Sequence, residues 1–247
     1  PIQMATPRFD SLVMQGGGVR CLWQAGFLSV VAPQWERPPA QIVAVSAGSA
    51  IACAFAAGRL DAGVESFRHA VSRNEKNFYP SRLLSLRRAF PHAAMYRAVL
   101  ADVLTDGGMK ALREGPEVDI LLCRPPRSFS PARVTALLLG IGLGRRLSSE
   151  RLVSALVRTG RLSPEFVPVK SCRDAAEVTD LILASSSTPP STPLCRFQGR
   201  HTLDGGVLES VPVSGLRPSA TRALVLITSG QFRFTPPASL PRRTSLT

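Results

Sequence analysis

Ser46 stands where the pattern of the sequence changes abruptly, in a stretch (41–50) that reads Q-I-V-A-V-S-A-G-S-A. The apolar, β-branched run before it predicts a buried strand, and the alanine-rich segment after it predicts a helix. A serine at such a tight junction exposes its hydroxyl for attack on a carbonyl and needs small neighbours, here Ala44, Ala47 and Gly48. The same spacing also suits a serine that only caps the helix, so this motif alone leaves both interpretations open.

Three consecutive glycines, Gly16, Gly17 and Gly18, lie between a short apolar run and a segment with helical spacing. Backbone N–H groups in such a loop can converge on one point, and a following helix N-terminus adds positive potential, so an anion site is predicted. A dinucleotide fingerprint would need glycine where Cys21 stands, and the G-K-[ST] of a phosphate loop is absent. An oxyanion hole for acyl transfer needs neither motif. The alternative is a simple tight turn.

A third candidate is the carboxylate of Asp204, which follows a predicted strand and precedes Gly205 and Gly206. A carboxylate can act as a general base when it lies within hydrogen-bond reach of a hydroxyl. Asp-Gly pairs are nevertheless most often hairpin turns. The same tripeptide also occurs at 106–108, between predicted helices, where we expect a helix-ending turn.

The composition indicates a globular chain without a metal or cofactor. Its 247 residues, 45% hydrophobic and 19% charged, fit one folded domain with a sizeable core. The five cysteines are widely separated with no C-x-x-C pair, and the three histidines lack metal-ligand spacing. We therefore expect reduced thiols, no disulfide framework, no metal and no cofactor.

The net charge of +13 comes almost wholly from arginine, since Lys76, Lys110 and Lys170 are the only lysines. A basic surface favours anionic partners, either acidic phospholipid headgroups or nucleic acid. No zinc-finger, RNA-binding-sheet or basic-zipper pattern is present, so no specific nucleic acid is expected as a partner. A third interpretation is that the arginine content reflects genomic base composition alone.

Taken together and in this order, G-G-G-V-R at 16–20, A-V-S-A-G at 44–48 and D-G-G at 204–206 resemble the motifs of the patatin-like phospholipases. The segment A-S-S-S-T-P-P at 184–190 and the later Pro212 add to the resemblance. The resemblance implies an α/β fold, with a central and mostly parallel sheet flanked by helices, and a serine–aspartate catalytic dyad.

Carried onto this chain, the resemblance implies that Ser46 is the nucleophile and Asp204 its base. The Gly16–Gly18 loop, with the N–H of Ala47, would form the oxyanion hole. The remaining residues of the expected site support these groups: Arg20, which would orient the loop or attract a phosphate, and Gly48, Gly205 and Gly206.

The sequence departs from the family pattern at three places. Ala44 stands for the first glycine of the elbow, which is the sharp strand-to-helix turn that carries the serine. Cys21 stands where glycine often follows the basic residue, and Ser210 replaces an asparagine that is frequent after the D-G-G motif. Alanine is small enough for the elbow, so this departure concerns the rate of the reaction more than its identity.

The expected organisation is a single patatin-like domain over 1–247. Its catalytic core would comprise 9–60 and 176–229, separated by a helical, cap-like insertion at 61–175 that includes a buried-strand candidate. The proline- and arginine-rich end, 235–247, is expected to be a flexible tail.

An apolar run at 136–143, backed by Arg145 and Arg146, is too short to span a bilayer. It is either a mobile flap that dips into lipid or the end of a buried helix. No stretch predicts a membrane span or a cleaved signal peptide, so a cytoplasmic protein with peripheral membrane association is expected. Delivery by specialised secretion would leave the same features in the sequence.

The expected function is therefore a lipid acyl hydrolase of the phospholipase A type that cleaves fatty-acyl esters of membrane glycerophospholipids. The phospholipid surface is the expected partner, and the need for an activating protein stays open. The alternative is a catalytically silent patatin-like module that binds acidic membranes or a protein partner, which the departures at Ala44 and Cys21 motivate.

Overall fold

The computed structural model describes residues 9–73, 92–144, 149–189 and 192–229. Within these ranges the side chains of 92–94, 142–144 and 149–152 are outside the description. The expected tail at 235–247 also lies outside the described residues.

The described residues contain a mixed sheet of seven strands. The strands are β1 (Ser11–Met14), β2 (Gln41–Val45), β3 (Glu117–Arg124), β4 (Ser163–Pro168), β5 (Cys195–Phe197), β6 (Arg200–Asp204) and β7 (Ala223–Leu226). Their order is β5-β6-β3-β2-β1-β7, and β4 pairs with β3 outside this path. Strands β7, β1, β2 and β3 run parallel, whereas β4 and β6 are antiparallel to β3. The predicted α/β fold is confirmed.

Helices cover both faces of this sheet. Those described are α1 (Leu22–Val31), α2 (Ala47–Ala56), α3 (Leu60–Ser72), α4 (His92–Val103), α5 (Asp106–Glu114), α6 (Pro131–Gly144), α7 (Ser149–Arg158) and α8 (Ala175–Ser185). The helix predicted to follow Ser46 is α2, and the helix predicted to follow the three glycines is α1, after a short 3₁₀ turn at Gly18–Cys21.

The central strands are apolar without alternation because both of their faces are covered. In β1, Leu12 and Met14 pack in the main core between the sheet and helices α1, α2 and α8. Val13 points to the other face and packs against Val211 and Val213. The short apolar runs in the sequence are therefore buried strands, as predicted.

Within the range 61–175, expected as a helical insertion, the buried-strand candidate at 118–123 is confirmed as part of β3, whereas β4 was not predicted. Strand β3 lies at the centre of the sheet and β4 pairs along it. The helix-ending turn expected at 106–108 is wrong, because α5 begins at Asp106. The side-chain oxygen of Thr105 accepts a hydrogen bond from the N–H of Gly108 at 3.3 Å, which caps this helix.

The apolar run at 136–143 lies within α6. Val134 and Ile141 on this helix are buried and pack with Leu162 and Leu203 in a separate core cluster. Within the described part of this run, Ile141 is buried and Leu137 and Leu138 pack on the cluster, whereas Leu139 is 48% exposed. The run is therefore a helix with one side on the core, and its movement as a flap stays a prediction.

Candidate active site

Ser46 occupies a strained turn between β2 and α2. Its backbone has φ 54° and ψ −134°, a conformation that costs energy for a residue with a side chain. The Ser46 hydroxyl makes no capping hydrogen bond to α2. It instead donates a hydrogen bond of 2.6 Å to Oδ2 of Asp204. The sharp strand-helix turn predicted from the sequence is present, and the capping interpretation does not describe what this hydroxyl does.

The strand register explains how two residues so far apart in sequence meet. Leu121 of β3 pairs with Val45 on one edge, and the next residue, Leu122, pairs with Asp204. Strand β4 pairs with both leucines, so it occupies the opposite edge of β3. Strand β6 therefore pairs with β3 along the same edge as β2, starting at the residue after the one where the pairing with β2 ends. The residue after Val45, which is Ser46, is consequently brought beside Asp204.

The carboxylate of Asp204 is held by its own turn. Its Oδ1 accepts a hydrogen bond of 2.7 Å from the N–H of Gly206, and its backbone N–H donates to the carbonyl of Ser187 at 2.8 Å. A β-carbon at Gly205 would lie 2.8 Å from the backbone carbon of Leu121, so only glycine fits there. With Oδ1 occupied in this way, Oδ2 is directed to Ser46.

The glycine loop is pressed against the Ser46 elbow on one side and the end of β7 on the other. A β-carbon at Gly16 would lie 2.9 Å from that of Ser46, and one at Gly17 would lie 2.9 Å from the β-carbon of Thr228. The N–H of Gly16, which was expected to belong to the oxyanion hole, donates to the carbonyl of Ser210 at 3.3 Å. This amide is therefore already used in a hydrogen bond within the protein. Gly17 and Gly18 line the cavity described below, and Gly18 has φ 59°.

The N-terminus of α2 packs directly on this loop. A β-carbon at Gly48 would lie 2.7 Å from the carbonyl oxygen of Gln15, which explains the need for glycine. Ala47, the first residue of α2, lines the cavity beside Ser46. The first N–H groups of a helix have no partner within it and carry partial positive charge. The start of α2 and the glycine loop thus both border the cavity beside Ser46.

Arg20 is exposed, and both its backbone N–H and its Nε donate to the carbonyl of Gly17 at 3.3 Å. Of the two roles considered for Arg20, these contacts fit the orientation of the loop.

Three positioning residues were missed by the sequence reasoning. The Ser185 hydroxyl accepts from the N–H of Ser46 and donates to the carbonyl of Leu121, both at 2.8 Å. Buried Gln24 donates to the carbonyls of Gln15 and Leu226, and Thr228 donates to the carbonyl of Gly16 at 2.5 Å. Only Ser185 carried a signal, since it belongs to the serine-rich segment before the prolines.

An apolar cavity of about 620 Å³ opens beside Ser46 and Asp204. It is bordered by one face of each of three helices, α2, α3 and α4. Representative lining residues are Ala47, Ala50 and Ala54 from α2, Gly63, Phe67 and Val71 from α3, and Tyr96, Val99 and Val103 from α4. Their spacings of three or four residues put each set on one side of its helix.

The cavity runs along α2 away from Ser46. Ala47 follows Ser46 directly, and Ala54 lies two turns further, about 10 Å along the helix axis. There the three helices converge, because a β-carbon at Gly63 would lie 3.0 Å from a methyl carbon of Val103 and 3.5 Å from that of Ala54. We call Ala54, Gly63 and Val103 the end wall of the cavity.

Two weak acids line the cavity close to Asp204. Burial, with a smaller contribution from the Asp204 charge, raises the pKa of the Cys21 thiol to about 12. Burial, with smaller contributions from Cys21 and from the Asp204 charge, raises the pKa of the Tyr96 hydroxyl above its ordinary value. Both groups are neutral near pH 7, so Cys21 is not a thiolate that could compete with Ser46 as a nucleophile.

The sheet, the serine elbow and the adjoining glycine loop together form the architecture of a serine hydrolase. A family model described as patatin-like phospholipase matches residues 12–217, and the chain belongs to this family. Membership implies acyl hydrolase activity. In the comparison with curated proteins, none matched the chain.

The described residues contain no helix long and apolar enough to cross a membrane. Neither do these residues contain a group of three or more histidine, cysteine, aspartate or glutamate side chains that could hold a metal ion.

Proposed function

We propose that this protein is a phospholipase A-type enzyme that cleaves a fatty-acyl ester of a glycerophospholipid through Ser46 and Asp204. The observation that carries the proposal is the 2.6 Å hydrogen bond from the Ser46 hydroxyl to Asp204, at the edge of an apolar cavity. A hydroxyl needs a base to become a nucleophile, and an acyl chain needs an apolar site. Both requirements are met within the same few residues.

In the first half of the reaction, Ser46 Oγ attacks the ester carbonyl carbon while its proton passes to Asp204 Oδ2. The negative charge that develops on the carbonyl oxygen is stabilised by backbone N–H groups, for which we propose Gly17, Gly18 and Ala47. The ester C–O bond then breaks. The leaving alkoxide takes the proton from Asp204 and departs as a lysophospholipid, which leaves the acyl group on Ser46.

In the second half, a water molecule attacks the acyl carbon and gives its proton to Asp204. The bond to Ser46 Oγ breaks, the proton returns to Ser46, and a fatty acid is released. Asp204 thus acts as base and then as acid in each half, and no histidine is needed.

Ala44, one of the departures from the family motif, does not oppose this proposal. Its side chain is fully buried in the main core, and the elbow that follows it still places Ser46 at φ 54°. The elbow therefore keeps its form with alanine in this position.

The experiment that tests the proposal is labelling with a fluorescent fluorophosphonate followed by peptide mapping. We expect the label on Ser46, because its hydroxyl has Asp204 as a base. Label on Ser185 or Ser186 would contradict the proposal. No labelling of folded protein, with or without acidic vesicles, would favour the catalytically silent module.

The end wall predicts how acyl chain length is selected. In Ala54→Leu the added side chain would fill the far end of the cavity, so we expect kcat/KM for long-chain p-nitrophenyl esters to fall by about fourfold for each methylene displaced. The acetate ester should react as in the parent. The measurement is kcat/KM against chain length.

Ala98→Leu is the matched control, since Ala98 lies on α4, is exposed and does not line the cavity. An unchanged chain-length profile in Ala54→Leu, in protein with a normal unfolding midpoint, would show that the acyl chain binds elsewhere.

A further inference from the structure

Much of the outer face of α1 and of the turn before it is apolar, although it faces solvent, and its exposed polar side chains are Arg20 in the turn and Ser29 on the helix. No charged residue occurs at 21–35. One side of α1 is buried in the core, but Trp23 is 43% exposed and Val30 is 65% exposed, and Val19 in the preceding turn is 70% exposed. The solvent side of a surface helix ordinarily carries charged and polar residues. This face therefore has the composition of a contact surface.

These three exposed apolar residues form one continuous strip with Phe27, which is half-buried against the core. Val19, Trp23, Phe27 and Val30 follow one another at spacings of four, four and three, which places them along one side. The rings of Trp23 and Phe27 pack edge to face with centroids 6.0 Å apart. We call these four residues the apolar strip.

The apolar strip begins at the mouth of the cavity. Val19 is both the most exposed residue of the strip and a lining residue of the cavity, and Val71 of α3 also lines the cavity while 45% exposed. The exposed guanidinium of Arg20 lies next to Val19 in the sequence. An apolar surface with a tryptophan and an arginine at its edge matches the boundary between acyl chains and acidic headgroups.

We propose that the apolar strip is the surface by which this protein docks on a phospholipid bilayer, with the cavity mouth facing the lipid. The inference rests on the proposed function, which gives docking its purpose. In the docked state a lipid chain could pass from the bilayer along Val19 to Ser46. It places lipid contact on α1 and not on the run at 136–143 that the sequence suggested.

A second copy of the chain fits this surface less well than a bilayer does. A two-fold interface would bring the same patch of both copies together, including both Arg20 side chains, in a protein of net charge +13. Acidic lipid headgroups instead offer the opposite charge around the strip.

The fluorescence of Trp23 reports docking directly. In Trp35→Phe, Trp23 is the single tryptophan, and Trp35 is half-buried against Phe9 and Phe55, where a smaller ring keeps the contact. With vesicles of phosphatidylcholine and phosphatidylglycerol, we expect a blue shift of the emission and quenching by brominated acyl chains. No change with vesicles, in protein that still hydrolyses soluble esters, would overturn the proposal.

A charge placed on the strip should weaken docking. We expect Val30→Glu to lower vesicle affinity in co-sedimentation about tenfold or more, because an apolar side chain leaves the lipid and a carboxylate opposes it. Hydrolysis of a soluble acetate ester should be unchanged. Val157→Glu is the matched control, since Val157 on α7 is 38% exposed and outside the cavity lining.

Equal loss of vesicle binding in Val30→Glu and Val157→Glu would contradict the proposal, since it would reflect net charge alone. A blue shift that depends on protein concentration without vesicles would assign the strip to self-association. Failure of the proposed function is distinguishable, because Ser46→Ala should still dock. Docking without any esterase activity would contradict the proposed phospholipase function and still support the apolar strip as the docking surface.

Discussion

Ser46→Ala is expected to reduce fatty-acid release by about ten-thousandfold or more, the scale on which a nucleophile contributes when the rest of its site remains. The substitution removes one oxygen and keeps the β-carbon, so the elbow and its packing on Gly16 are retained. The unfolding midpoint should change little, because the single hydrogen bond lost contributes roughly 1 kcal/mol. The measurement is titration of fatty acid released from phospholipid vesicles, with thermal unfolding in parallel.

Ser49→Ala is the matched control for this result. Ser49 lies on the same helix, its side chain is fully buried, and no hydrogen-bond partner for its hydroxyl is found in the described part of the chain. We expect this variant to keep full activity. A Ser46→Ala protein that hydrolyses at the parent rate would show that another group is the nucleophile.

Asp204→Asn is expected to reduce kcat on soluble esters by about a thousandfold to ten-thousandfold, by comparison with other orienting or basic carboxylates of hydrolases. The amide oxygen can still accept from the N–H of Gly206, which leaves the NH₂ group facing the Ser46 hydroxyl. That group donates a hydrogen bond and cannot take a proton, so Ser46 loses its base. The rate of fluorophosphonate labelling should fall with kcat, whereas vesicle binding should be retained.

Asp119→Asn is the control for the loss of a carboxylate. Asp119 is a buried residue of β3 that accepts a hydrogen bond of 2.7 Å from the side-chain amide of Gln41. It does not line the cavity. Its replacement should affect stability but not the labelling of Ser46. A normal rate in Asp204→Asn would remove Asp204 from the proposed role.

Local sequence signals were sufficient to predict the strand-turn-helix around Ser46 and the glycine loop. The strand before Ser46, the helix after it, and the glycine loop before α1 are each encoded within about ten residues. Their prediction therefore needed no knowledge of distant contacts. The charge-free stretch at 21–35 was equally visible in the sequence, although its exposure was not, because exposure depends on which side of α1 packs on the sheet.

What could not be predicted depends on pairing between distant segments. The apolar run at 118–123 indicated a strand, but its position between β2 and β4 is set by contacts across the sheet, and β4 itself was not predicted. The two Asp-Gly-Gly tripeptides show the same limit. Asp106 begins a helix that Thr105 caps, whereas Asp204 ends a strand beside β3, and no signal within the tripeptide distinguishes them.

Gln24 and Thr228 illustrate a further limit. Each hydrogen-bonds to backbone groups of the glycine loop or its neighbours, but neither belongs to a motif with fixed spacing. A polar side chain in an apolar segment indicates a buried hydrogen bond without naming the partner.

The register around Leu121 has a consequence for how this protein can change. Ser46 and Asp204 are separated by 158 positions, yet both are located by the same two peptide units of β3. Part of the wall of the cavity that would select the acyl chain is supplied by α3 and α4, which do not belong to the sheet, although Ala54 on α2 completes its end wall. Reactivity and selectivity would thus be encoded in partly separate segments. Exchanging 60–103 for the corresponding segment of a relative should alter which lipid is accepted and leave the reactive serine intact.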